Sequence, residues 1–193
     1  QVHDTSLIWC QIFYNRLKEK DGYLVRFTSE NLPLENVGRA LRWISDLQSL
    51  DLSGTRVSDL KPIADLKNLQ SLNLSRTRVS DLKPIANLKN LQSLNLWGTR
   101  VSDLKPIANL KNLQSLSLWE MRVSDLKPIA NFKNLQSLDL SGTRVWDLKP
   151  IAGLKKLISL TLSQKSPPKS EIDALKKALP SLKISFSQSS FSR

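Results

Sequence analysis

The sequence predicts an α/β solenoid: a curved right-handed coil, with a parallel sheet on its concave face and short helical turns on its convex face. Three observations predict it. The stretch from Leu66 to Asn87, LKNLQSLNLSRTRVSDLKPIAN, recurs nearly letter for letter every 22 residues, with copies beginning at Ile44, Leu66, Leu88, Leu110, Phe132 and Leu154. A fixed period of that size with apolar residues at set offsets marks stacked coils. Within each copy, a run such as Ser71-Leu72-Asn73-Leu74-Ser75 alternates polar and apolar, as a half-buried strand does. Finally, no copy can bury its own leucines, so neighbours must stack and pair their strands in parallel.

The elements follow in order. Residues 5–20 predict an amphipathic helix, with Trp9, Cys10, Phe13 and Leu17 on one face, Asp4 or Thr5 as cap and Gly22 past the end. It would cover the open end of the coil. Leu24-Val25-Arg26-Phe27 predicts an irregular first strand, Asn31 to Leu34 a turn, and Val37 to Trp43 the lead into the first full repeat. In the second repeat Leu72 and Leu74 point inward; Ser71, Asn73 and Ser75 point outward. Arg76-Thr77-Arg78 turns the chain and Val79 re-enters the core. Ser80 or Asp81 then caps a short helical turn, near whose start Pro84 costs little. After the last repeat, Gln164 to Lys169 reads as a loop containing Pro167-Pro168. Ser170 with Asp173 three residues on resembles a capping box for a helix with Ile172, Leu175 and Leu179 on its apolar face. Pro180 stops that helix, and Leu182, Ile184 and Phe186 alternate as a last strand. The expected organisation is an N-terminal cap and first strand (1–43), repeats (44–165), a C-terminal cap helix and strand (166–186) and a disordered polar tail (187–193).

The pattern LxxLxxLxLxxTxVxxLxxIxx resembles the 22-residue class of leucine-rich repeats, found in bacterial internalins and in the small regulatory subunit of protein phosphatase. The resemblance covers residues 44–165. It implies a leucine-rich repeat solenoid, a bacterial source, and protein recognition on the sheet face. One departure stands out. The family places Asn in the turn after the strand; here that column is Thr55, Thr77, Thr99, Met121, Thr143 and Lys165. Threonine can offer its hydroxyl to the turn, whereas Met121 cannot.

Composition narrows the classes. With 29 basic and 17 acidic residues, the net charge is +12, which raises a nucleic-acid reading. Half of that excess lies in residues 154–193. The Lys61 and Lys67 columns flank the helical turns, and the Asp59 column can offset the Arg56 column. The sheet face lacks the basic and aromatic pattern that stacks bases. Solvated faces explain the charge better, and nucleic acid is disfavoured as a partner. No run is apolar enough to span a membrane. Cys10 is the only cysteine, so no internal disulfide can form. The chain opens at Gln1 rather than Met, which predicts a piece of a longer protein. Location stays open, with the cytoplasm favoured.

Chemistry is sparse. His3 and Cys10 are the single members of their kinds. His3 falls in a frayed terminus and Cys10 on the apolar face of the cap helix, so they read as structural rather than as a nucleophilic dyad. No metal-ligand spacing or phosphate-cradling glycine loop occurs. The regular column Asp59, Asp81, Asp103, Asp125, Asp147 reads as turn capping. The expectation is a non-enzymatic chain with no cofactor, a monomer or weak dimer.

The repeats also supply an internal comparison. The outward column Ser49, Ser71, Ser93, Ser115, Ser137, Ser159 never changes. The next runs Asp51, Asn73, Asn95, Ser117, Asp139, Thr161. The following varies most: Ser53, Ser75, Trp97, Trp119, Ser141, Ser163. Beside it run Gly54, Arg76, Gly98, Glu120, Gly142 and Gln164. Two neighbouring coils thus put Trp97 and Trp119 side by side, a poor choice for solubility and a good one for a binding anchor. The expected partner-binding residues are Trp97, Trp119, Glu120, Met121, Asn95, Ser117 and Arg76, facing a protein of unknown identity. Replacing both tryptophans with serine should then leave stability nearly unchanged. Trp146 replaces a serine of other coils and belongs to a separate lateral patch. Two further readings compete: a structural, self-associating segment, and a basic nucleic-acid surface.

Overall fold

The strict leucine spacing becomes a strict stack. The computed structural model describes residues 23–26, 47–163 and 167–187. Among the described residues eight strands form one open sheet, ordered as in the chain and parallel throughout. They are β1 (Tyr23–Arg26), β2 (Leu47–Asp51), β3 (Ser71–Asn73), β4 (Ser93–Asn95), β5 (Ser115–Ser117), β6 (Ser137–Asp139), β7 (Ser159–Ser163) and β8 (Lys183–Ser187). Register is pinned by identity: Leu72 lies beside Leu94, Leu94 beside Leu116, Leu116 beside Leu138. A one-residue slip would turn the whole leucine row outward. The expected first strand is present, and its register shifts between Tyr23 and Leu24.

Each coil returns through a 3-10 turn: η1 (Lys61–Ile63), η2 (Lys83–Ile85), η3 (Lys105–Ile107), η4 (Lys127–Ile129) and η5 (Lys149–Ile151). The proline sits at the first helical positions, where a missing N–H leaves nothing unsatisfied. In η2 the Ile85 and Ala86 N–H groups donate to the Leu82 and Lys83 carbonyls at 3.1 and 3.2 Å. The aspartate column does cap these turns. The Lys61, Lys83, Lys105, Lys127 and Lys149 N–H groups donate to the carboxylate two residues earlier, each at 2.9 Å.

The core is a continuous column of leucine, isoleucine and valine rows, with Phe132 fully buried in a leucine row. Burying one such side chain stabilises by about 1.5–3 kcal/mol, and every coil repeats the gain against its neighbour. The threonine column works as expected: Thr55, Thr77, Thr99 and Thr143 hydroxyls donate to the carbonyl three residues back, at 2.6–2.8 Å. At Met121 only the backbone bond to Leu118 remains, at 3.1 Å. Met121 itself is 1% exposed. The expectation that it borders a surface site is therefore corrected, because its column faces the core.

At the C-terminal end, α1 spans Lys169–Ala178 and buries Leu175 against the last coils, with Leu179 and Leu182 beside it. The Leu148 N–H donates to Glu171 Oε2 at 3.1 Å, tying α1 to the fifth coil. The capping box read at Ser170 and Asp173 does not form. The N-cap is Pro168 and no side chain caps it; the helix starts earlier, so Ser170 lies within its first turn. The expected N-terminal helix, with His3 and Cys10, the segment 27–46 and the tail beyond Ser187 lie outside the described residues.

Candidate functional site

The site is built from two adjacent surface columns at the strand ends. After each strand the sheet hydrogen bonds run on: Leu74 N–H donates to Asn95 O and Arg76 N–H to Trp97 O, at 2.9 and 2.7 Å. The residue that takes this second bond must turn the chain back, and it does so in the left-handed region. Gly54, Gly98 and Gly142 have φ of 70°, 64° and 69°; Arg76 and Glu120 have 57° and 56°. That region suits glycine and costs a residue with a Cβ roughly 1 kcal/mol or more. Two coils therefore carry a side chain where the others avoid one.

Both of those side chains engage the same tryptophan. The Arg76 guanidinium carbon lies 4.1 Å from the centre of the Trp97 ring. The Trp97 Nε1–H donates to Glu120 Oε2 at 3.1 Å. On the opposite face Trp119 stacks, with ring centroids 4.4 Å apart and planes 14° from parallel. Three consecutive coils thus yield one cluster, Arg76–Trp97–Trp119 with Glu120 at its edge. Both tryptophans are half-buried, while Arg76 and Glu120 are exposed. Such contacts are worth about 0.5–2 kcal/mol apiece.

Other expected site residues have local duties. Asn95 Oδ1 accepts the Trp97 backbone N–H at 3.0 Å, as Asn73 does for Ser75 and Asp139 for Ser141. Asn95 therefore positions Trp97 from below. Ser117 stands in the same column, half-buried, between Asn95 and Asp139. Trp146 is 60% exposed and lies away from the pair along the chain, after the turn of the fifth coil. The left-handed role of Arg76 and Glu120 was not read from the sequence. Its signal was there: they alternate with Gly54, Gly98 and Gly142.

Charge divides between the surfaces. On the outward columns of β2 to β7 the charged residues are Asp51 and Asp139; the basic columns of Arg56, Lys61 and Lys67 are exposed elsewhere on each coil. Among the described residues, no group of three or more His, Cys, Asp and Glu could hold a metal ion, and no helix is long and apolar enough to cross a membrane.

The family model described as "Leucine Rich repeats (2 copies)" matches residues 45–87 and 89–131. A comparison with curated proteins finds no match. Among solved structures, the chain is similar to internalin C2 from Listeria monocytogenes, at 29% identity and a TM-score of 0.66, over 80% of this chain and 66% of that one. It is similar to a second internalin from the same organism, at 26% identity and 0.57, over 86% and 52%. It is also similar to a plant peptide hormone receptor solved in complex with RGF2, at 26% identity and 0.60, over 81% and 26%. The chain thus spans less than two thirds of the length of these structures.

Proposed function

We propose that this leucine-rich repeat solenoid of the 22-residue class is a non-enzymatic protein-recognition module. Its sheet face holds the partner, and the Arg76–Trp97–Trp119–Glu120 cluster is the anchor. The chain would act as the sensing part of a larger receptor or effector. The observation that carries this reading is the cluster itself. In an array whose coils are otherwise nearly interchangeable, two coils place their largest side chains on the surface, and two strained backbone positions hold them there. Interface hot spots are enriched in tryptophan and arginine. The likeness to a peptide hormone receptor and to internalins agrees with a recognition role.

The test compares three forms of the chain in cross-linked capture from a native lysate: wild type, the double variant Trp97→Ser with Trp119→Ser, and a turn-side variant, Lys83→Ser with Lys105→Ser. The expected result is a protein held by wild type and the turn-side variant and lost from the double variant. Capture that survives the double variant would refute the anchor. A change from dimer to monomer in the double variant alone would instead make the pair a self-association seam.

A further inference from the structure

The two edges of the sheet are finished differently. β1 is four residues long, and its register shifts between Tyr23 and Leu24. Such a bulge keeps an edge from accepting another strand. β8 is five residues long, has no proline, and pairs with β7 unbroken from Lys183 to Ser187. Among the described residues no strand pairs with its other edge.

That edge presents backbone and apolar surface together. The Lys183 N–H donates to Ile158 O at 2.8 Å, so Lys183 faces β7. Backbone groups alternate along a strand, so Ile184 and Phe186 aim their N–H and C=O groups away from β7. In earlier coils the matching groups bond onward: Leu74 N–H to Asn95 O and Leu96 N–H to Ser117 O, at 2.9 and 3.0 Å. Side chains follow the same division. The row from Leu52 to Leu162 is at most 2% exposed, but Phe186, which lies beside Leu162, is 47% exposed. Ile184, beside Leu160, is half-buried.

We propose that β8 pairs antiparallel with β8 of a second copy of this chain, across a two-fold axis at Ser185, joining the two sheets into one. The strand is complementary to itself in this register. Ile184 meets Phe186 of the second copy, and Phe186 meets Ile184. Their outward backbone groups then form two hydrogen-bonded pairs. Lys183 meets Ser187 of the second copy, and the two Lys183 residues stay about 13 Å apart, beyond the screening length at physiological salt. The contact is isologous and closes as a dimer, whereas β1 docked on β8 would run on without closing. Both sheet faces look the same way, so the dimer presents two Arg76–Trp97–Trp119 clusters side by side. The pairing itself does not depend on the recognition reading.

Sedimentation of the full chain over a range of concentrations tests this, with two substitutions at Ser185. Its side chain is exposed and makes one bond, to Thr161 Oγ1 at 3.2 Å. Wild type should dimerise reversibly. Ser185→Lys sets two lysines directly opposite each other and should weaken the dimer roughly fivefold. Ser185→Cys in a Cys10→Ser background has one thiol, and mild oxidation should join two copies, since this pair brings the Cα atoms to about 4.5 Å. Ser187→Cys, whose two copies lie about 13 Å apart in this register, should not cross-link. A monomer at every concentration would overturn the proposal, whether the edge is then held by the chain's own residues after Ser187 or by another protein. So would a dimer indifferent to Ser185→Lys, equal cross-linking at both positions, or a dimer lost in the Trp97→Ser, Trp119→Ser variant. Capture of a partner by the monomeric Ser185→Lys chain decides the recognition reading separately.

Discussion

Arg76 covers Trp97 from a backbone position that the coils on either side give to glycine. The guanidinium carbon sits 4.1 Å above the ring, and the residue that holds it has φ of +57°. A side chain in the left-handed region is a local cost accepted for a contact. The first three predictions measure that exchange.

Glu120→Gly relieves the strained φ and loses the bond to Trp97 Nε1; Glu120→Ala loses the bond and keeps the strain. The glycine variant should be near wild type in stability. The alanine variant should be lower by about 1 kcal/mol. Denaturant melts of the two variants check this, and an alanine variant equal to the glycine variant would show that φ carries no strain here.

Two glycines with the same φ should respond differently to alanine. Around Gly54 no atom lies within 4 Å of an added Cβ, whereas at Gly142 the backbone of Glu120 stands 3.1–3.2 Å away. Gly54→Ala should cost about 1 kcal/mol from conformation alone. Gly142→Ala should cost about 1 kcal/mol more, because Glu120 must give way by a few tenths of an ångström. Thermal unfolding of both variants gives the difference.

The sequence alone suggested that serine at both tryptophans would leave stability unchanged, since other coils carry serine. The stack and the arginine over it predict otherwise. Losing an aromatic pair and a cation–π contact should lower stability by about 1–3 kcal/mol. At roughly 2–4 °C per kcal/mol the melting point falls by several degrees. A melting point within a degree of wild type would mean the cluster adds nothing to the fold.

The basic columns should bind polyanions weakly and without sequence preference. In a mobility-shift titration with duplex DNA, any complex seen at low salt should vanish near physiological ionic strength, as released counterions dominate such contacts. Tight, salt-resistant binding to one sequence would restore the nucleic-acid reading.

Most of the fold was legible because one contact pattern is written over and over, the strand leucines in six copies and the turn residues in five. Leu72, Val79, Leu82 and Ile85 recur with the same partners, so periodicity alone gave the parallel sheet, the register and the aspartate-capped turns. The start of α1 was not legible: the Ser170 and Asp173 spacing matched a cap, but the prolines before it already fix the entry of the helix. The site was half legible. Variation between coils pointed to Trp97, Trp119, Arg76 and Glu120. It misplaced Met121, whose column faces inward, and it left unread that the half-buried Asn95 side chain also holds the Trp97 backbone. Variation reports where the array tolerates change, and the core tolerates a methionine as well as the surface tolerates a tryptophan.

The alternation of Gly54, Arg76, Gly98, Glu120 and Gly142 also bears on inheritance. The backbone repeats once per coil, but from the first coil to the fifth this position carries glycine and a larger residue by turns. Duplicating or deleting a single coil between the second and fifth would set two large residues, or two glycines, against each other. Gain or loss of coils in pairs keeps the order. Duplicating the fourth coil would set a second glutamate where an added Cβ stands 3.1 Å from Glu120, so that is the single-coil step this array accepts least.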